Sequence, residues 1–225
     1  ASDGSQGNNH SFEAVVSADG RYVAFVSFAD NVVTGDTNGW EDVFVHDRRT
    51  GDTSRVSVAG DGSQANGSSH DGVVSADGRY IAFQSFADNL VPGDTNGVED
   101  VFVHDRQTGV TSRVSVTSSG SQVKSNSPGL GLAIAADGRY VAFASSASRL
   151  VPGDTNGAYD VFVHDRQTGA TRRVSIAGDG SQANSASVGA AISADGRHVA
   201  FISRAGNLVP GDTNRIDDVL VRIVR

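Results

Sequence analysis

The chain contains no cysteine and no methionine among its 225 residues, and only one tryptophan, Trp40. Without thiols it can form neither a disulfide nor a thiolate metal site, so stability must come from packing or from hard cations held by oxygen. The missing methionine includes an initiator. A chain beginning at Ala1 reads most simply as one that has lost a secretory signal peptide, and otherwise as one cut to begin there for recombinant expression. Lysine is nearly absent as well, with Lys124 alone, and the formal charge is −8. An acidic chain without a basic stripe cannot release phosphate counterions on a wide front, so no nucleic-acid partner is expected. No apolar run approaches the roughly 18 residues that span a bilayer, so no membrane insertion is expected. Cation binding and an extracellular or periplasmic setting fit this composition.

What is present is a repeat. Ala-Asp-Gly-Arg occurs at Ala18–Arg21, Ala76–Arg79, Ala136–Arg139 and Ala194–Arg197, its aspartates 58, 60 and 58 residues apart. Gly-Asp-Thr-Asn follows each copy at Gly35, Gly93, Gly153 and Gly211, and Asp-Val-(Phe/Leu)-Val at Asp42, Asp100, Asp160 and Asp218. A fixed period of this length marks a modular array, with repeats at 1–58, 59–116, 117–176 and 177–225. Chemistry present in every copy is then structural or multivalent, because a single active site breaks such symmetry.

The second repeat serves as a template. Gly72–Ser75 reads as a strand, Ala76–Arg79 as a hairpin turn with Gly78 free to take positive φ, and Tyr80–Ser85 as a second strand. Asp100–Asp105 reads as a third strand and Thr111–Val116 as a fourth with edge-like alternation. No segment has a helical period, so the chain is expected to be all-β. The inner strands are apolar on both faces, as a sheet sandwiched between two others requires. Repeated around an axis, such four-stranded units make a β-propeller.

The string Ser75-Ala-Asp-Gly-Arg-Tyr-Ile-Ala-Phe83, followed by Asp100–Asp105 and Thr108-Gly109, resembles the TolB-like (WD-like) propeller repeat, four times over. The resemblance implies a single propeller domain over residues 1–225, with four blades. The 58-residue period exceeds the roughly 40–45 residues of related WD repeats. The excess falls in the loops after the second and fourth strands, which lie at one end of a blade and decorate one face.

One of these loops carries oxygen ligands at a spacing that suits Ca²⁺. Asp94, Asn96, the carbonyl of Val98 and Asp100 match positions 3, 5, 7 and 9 of an EF-hand-type loop, with Gly97 at the sharp turn. Equivalent sets are Asp36, Asn38, Trp40 and Asp42, and Asp154, Asn156, Ala158 and Asp160. The fourth set, Asp212, Asn214 and Asp218, has Arg215 in the glycine position, so that copy is expected to be weak or empty. Against calcium, no acid stands at position 1 and no bidentate glutamate closes the loop. Asp-x-Asn-Gly also forms a metal-free Asx-turn network on its own.

His46, His104 and His164 recur beside an aspartate at the end of the third strand, but no nucleophile recurs with them, so they read as structural. Asp19, Asp77, Asp137 and Asp195 read as turn aspartates. The Gly-Ser-Gln elements at Gln6, Gln64, Gln122 and Gln182, followed by Asn8, Asn66, Asn126 and Asn184, offer groups that bind sugars or satisfy loop backbone equally well.

The ends do not balance: four copies of the first three strands face three of the fourth, at Thr53–Val58, Thr111–Val116 and Thr171–Ile176. One blade should lack its outer strand. The chain then reads as a four-bladed ring with a reduced blade, as part of a longer array, or as one member of a set completed by edge-strand pairing. The expected function is a secreted, calcium-binding propeller that acts as a binding or assembly module without catalysis, taking a protein or glycan on its loop face. The alternatives are a polysaccharide lyase or glycosidase, its site marked by the symmetry-breaking Trp40, Lys124, Tyr159, Arg204 and Arg215, and a subunit of an extracellular polymer joined at its edge strands.

Overall fold

The computed structural model describes residues 1–124 and 131–224; Asn126 of the third Gly-Ser-Gln element lies outside the described residues. The fold is all-β, a β-propeller with four antiparallel blades, and no helix occurs among the described residues. Blade 1 comprises β1 (Ser11–Val16), β2 (Tyr22–Ser27), β3 (Asp42–Asp47) and β4 (Thr53–Arg55). Blade 2 comprises β5 (Ser69–Val74), β6 (Tyr80–Ser85), β7 (Asp100–Asp105) and β8 (Val110–Arg113). Blade 3 comprises β9 (Leu132–Ile134), β10 (Tyr140–Ser145), β11 (Asp160–Asp165) and β12 (Ala170–Arg173). Blade 4 has three strands, β13 (Ser187–Ile192), β14 (His198–Ser203) and β15 (Asp218–Ile223), so the missing outer strand falls where the repeat count places it. The blades group into two compact units, Ala1–Arg113 and Val114–Arg225.

Within each blade the second and third strands pair in continuous register, from Tyr80↔Asp105 to Ser85↔Asp100 in blade 2. Residues directly opposite share a face, so each blade has a front, with Ile81, Phe83 and Phe102, and a back, with Ala82, Gln84, Val101 and Val103. In the first unit, the back of blade 1 (Ala24, Val26, Val43, Val45) packs on the front of blade 2 in one apolar cluster. In the second unit, the back of blade 3 (Ala142, Val161, Val163) packs in the same way on the front of blade 4 (Val199, Phe201). Within each unit this stacking accounts for the apolar face that each blade turns to its neighbour.

Glycines set how closely blades approach. A Cβ on Gly78 would lie 1.9 Å from the Tyr22 ring, and one on Gly196 2.3 Å from the Tyr140 ring, so each hairpin turn rests on the preceding blade's tyrosine. The fourth strands end at Arg55, Arg113 and Arg173, short of the expected Val58, Val116 and Ile176. Beyond Arg55 one backbone bond persists, Val56 N–H to the Val43 carbonyl at 2.9 Å, and side chains supply the rest: Val43 N–H donates to the Ser57 hydroxyl at 3.2 Å, and Ser57 donates in turn to the Asp42 carboxylate at 2.5 Å. Blade 3 repeats this with Val161, Ser175 and Asp160.

Candidate functional site

The oxygen-rich loops converge on an arginine. In the first loop Arg55 Nη1 lies 3.0 Å from Asp36 Oδ1 and 3.1 Å from Asp42 Oδ2. Arg113 bridges Asp94 and Asp100 at 2.8 and 2.9 Å, and Arg173 bridges Asp154 and Asp160 at 3.2 Å each. Each arginine is the last residue of a fourth strand, carried beside the loop by pairing with the third strand. The loop asparagine spends its side chain locally. Asn38 Nδ2 donates to Asp42 at 2.8 Å and to the Ala65 carbonyl at 3.0 Å, while its Oδ1 accepts from Trp40 N–H. Asn96 and Asn156 donate in the same way to Asp100 and Asp160, and accept from Val98 and Ala158 N–H.

A cation seated between the two carboxylates would stand where the guanidinium stands. The sequence-predicted ligands of the first three loops are therefore brought together, but around an internal positive charge. Burial, reinforced by the neighbouring Asp42, pushes the Asp36 carboxyl up; burial also raises Asp94 and Asp154. The guanidinium offsets that penalty. Blade 4 lacks a fourth strand, and among the described residues no arginine bridges Asp212 and Asp218. Asn214 Oδ1 still accepts from Ile216 N–H, and Arg215 takes the left-handed φ of 60° that Gly39, Gly97 and Gly157 take elsewhere.

The other recurring groups are satisfied by close neighbours. His46, His104 and His164 each pair through Nδ1 with the hydroxyl of Thr53, Thr111 or Thr171 at 2.9–3.0 Å, and burial lowers the pKa of His104 and His164. Asp19 accepts from the Ser17 hydroxyl and Arg21 N–H, closing the turn. Arg21, Arg79 and Arg139 clasp Asp47, Asp105 and Asp165 with both nitrogens, which holds those carboxyls well below their ordinary range. Gln64 and Gln182 exchange hydrogen bonds with Thr37 and Thr155, tying the two long loops of neighbouring repeats together.

Three of the symmetry-breaking residues named from the sequence are placed by the contacts of their own loops. Trp40 is half-exposed at its loop, Arg204 pairs with Asp217 at 3.3 Å on the surface, and Tyr159 supplies its backbone carbonyl to Ser187 N–H.

A different exception, which the repeat pattern hid, sits on the first strands of the first unit. Glu13, His70 and Asp71 bring ligand-type atoms within 4.8 Å of one another. Glu13 Oε2 accepts from Asp71 N–H at 2.8 Å, His70 Nδ1 meets Asp71 Oδ2 at 3.3 Å, and His70 Nε2 meets the buried Glu99 Oε1 at 2.7 Å. Asp71 first, and then Glu99, push the His70 pKa up to about 10. Glu13 and Asp71 occupy β-bulges with φ of 53° and 54°, where blade 4 has Gly189 with φ 71°. An acid at the glycine position was the available signal.

The sequence matches no protein-family model and no curated protein. Solved structures do resemble it. TolB from Acinetobacter baumannii is 20% identical over 96% of this chain and 43% of that one, with a TM-score of 0.52. A putative TolB from Agrobacterium tumefaciens is 15% identical over 92% of this chain and 59% of that one, with a TM-score of 0.53. An oligogalacturonate lyase from Vibrio parahaemolyticus is 13% identical over 86% of this chain and 46% of that one, at 0.50. The class is thus a β-propeller. Its fold is of the TolB-like kind, and the chain spans about half the length of the structures it matches.

Proposed function

We propose that the chain is a non-catalytic assembly module that joins a second copy of itself, front of blade 1 to back of blade 4. One observation carries this reading. Val219, Val221 and Ile223 on the back of blade 4 are 76, 61 and 60% exposed, whereas Val43 and Val45, their counterparts in blade 1, are fully buried. Ile202, directly opposite Val219, is exposed with them. At the other end, Val23 and Phe25 on the front of blade 1 are partly exposed, while Ile81 and Phe83, their counterparts in blade 2, are fully buried. The repeat itself supplies the fit, because in both units a front of this composition already covers a back of that composition. Covering each large apolar side chain is worth about 1.5–3 kcal/mol. A front-to-back contact is heterologous, so two copies close into a pair with two such contacts or continue as a chain.

The recurring groups support a module without catalysis, since each described copy is engaged in holding a loop or turn. The secreted setting belongs to the same reading, as do the calcium sites. For calcium, support is confined to the fourth loop, where among the described residues no arginine bridges Asp212 and Asp218.

Light scattering on Val23→Glu and Val221→Glu chains tests the assembly. The wild type is expected to associate and each variant alone to stay monomeric. An equimolar mixture should form a one-to-one complex through the intact front of one and the intact back of the other. A strictly monomeric wild type would sink the reading, as would dimers of the Val23→Glu chain alone, which would mean back-to-back pairing.

A further inference from the structure

We propose that Glu13, His70 and Asp71 form a binding site for a divalent transition-metal ion of the zinc type, oriented from behind by Glu99. This site is separate from the assembly surface and does not depend on it.

The site is built around the geometry of one histidine. His70 Nε2 is 2.7 Å from Glu99 Oε1, and Glu99 is 2% exposed. A buried carboxylate in that place accepts a hydrogen bond from Nε2–H and fixes the ring. Metal-binding imidazoles are held in this way, with the second nitrogen donating to a carboxylate while the first faces the ion. The remaining nitrogen, Nδ1, points at the bulge, where Asp71 Oδ2 stands 3.3 Å away. Two ligands that each bind a tetrahedral zinc at its usual bond length stand about 3.3 Å apart. Glu13 completes a three-ligand group within 4.8 Å, and its exposed side chain can turn to close the last distance.

A second, independent observation points to a ligand here. Gln84 is fully buried, and neither its Oε1 nor its Nε2 has a hydrogen-bond partner. A buried carboxamide left unpaired loses its hydration without replacement, which destabilises the fold. Gln84 lies directly opposite His70 in the β5–β6 register, so its amide stands on the same face of the sheet as the imidazole.

The sequence marks the same spot. Gln84 replaces the apolar Val26, Ala144 and Ile202 of the other repeats, His70 replaces Phe12 and Val188, and Asp71 replaces Gly131 and Gly189. Departures that serve packing alone need not converge on one set of N and O donors. The donor set also selects the ion. An imidazole nitrogen with two carboxylates suits zinc and its neighbours, whereas calcium and magnesium prefer all-oxygen shells.

Calorimetric titration of the metal-stripped full chain with ZnCl₂ tests the site. One ion per chain is expected, not displaced by millimolar Ca²⁺ or Mg²⁺. Glu13→Gln, at an exposed position that leaves the fold intact, should weaken binding at least tenfold, and Glu99→Gln should weaken it about 10–100-fold through loss of orientation. Zn²⁺ should also shift the His70 Nδ1 resonance in ¹⁵N spectra, a readout that a merely structural ion pair would not give. No binding, binding unchanged in Glu13→Gln, or an unshifted His70 signal at saturation would each overturn the proposal.

Discussion

Arg113 Nη1 sits between Asp94 and Asp100, 2.8 and 2.9 Å from their carboxylates, and the three side chains are 10, 3 and 1% exposed. The end of a fourth strand is thereby bolted to the loop between the second and third strands. Removing the arginine strands two buried carboxylates whose desolvation is no longer offset. Arg113→Ala is expected to destabilise the first unit by about 3–5 kcal/mol, the usual range when one partner of a buried ion pair is lost. Urea denaturation followed by circular dichroism measures it, and a loss below about 1 kcal/mol would mean that the bridge is superficial.

The same geometry bears on calcium. In the first three loops an entering ion must displace a guanidinium that the strand delivers, so millimolar Ca²⁺ and EDTA are both expected to leave their stability unchanged. Arg113→Ala vacates one such position between two carboxylates, and that variant should be stabilised by added Ca²⁺ through linkage beyond whatever the fourth loop gives the wild type. Thermal melts of both chains with and without the ion give the comparison. A calcium-dependent rise in the wild type, retained after Asp212→Asn and Asp218→Asn, would show that the arginine-bridged loops take the ion.

Much of this was legible in the sequence. The second and third strands were readable to the residue, at Tyr80–Ser85 and Asp100–Asp105, because apolar runs bounded by polar ends and fixed turns leave little latitude in register. The short outer strand was less so, because the Ser57 and Ser175 hydroxyls, rather than backbone carbonyls, pair with Val43 and Val161 N–H. The arginine of the loops was visible as a recurring letter but not as a partner. Its role depends on which strand end meets which loop, and the clue was its fixed place thirteen residues after the aspartate in three repeats. Glu13, His70 and Asp71 escaped for the opposite reason. A search for what recurs passes over what differs, and their significance lies in standing where other repeats have glycine or an apolar residue.

Stability should depend on pH through the strand-end histidines. Burial keeps the His104 and His164 pKa values below the ordinary 6.5, so in acid the unfolded chain binds more protons than the folded one. Stability then rises with pH in that window. Their contribution is present above pH 6.5 and is lost as pH falls through their folded values. Denaturation midpoints between about pH 7.5 and 5 should decline for the wild type and decline less for the His104→Gln, His164→Gln double variant. Equal slopes would place the acid sensitivity elsewhere.

Two hairpin glycines with the same backbone conformation make a controlled comparison of blade packing. Gly20 and Gly78 have φ of 71° and 73°, so alanine at either position meets the same left-handed strain, about 1–2 kcal/mol. Their surroundings differ. A Cβ on Gly20 would have Arg48 Nη1 as its nearest neighbour, at 3.8 Å, whereas on Gly78 it would enter the Tyr22 ring. That ring cannot swing aside freely, because the Arg106 guanidinium lies over it at 4.6 Å. Gly78→Ala should therefore cost about 1–3 kcal/mol more through overpacking, and Gly20→Ala should not. Adding Tyr22→Ala to Gly78→Ala should recover part of the loss, since it vacates the space the methyl group needs. Equal destabilisation by the two glycine variants, or no recovery in the double variant, would show that the turn of blade 2 does not bear on blade 1.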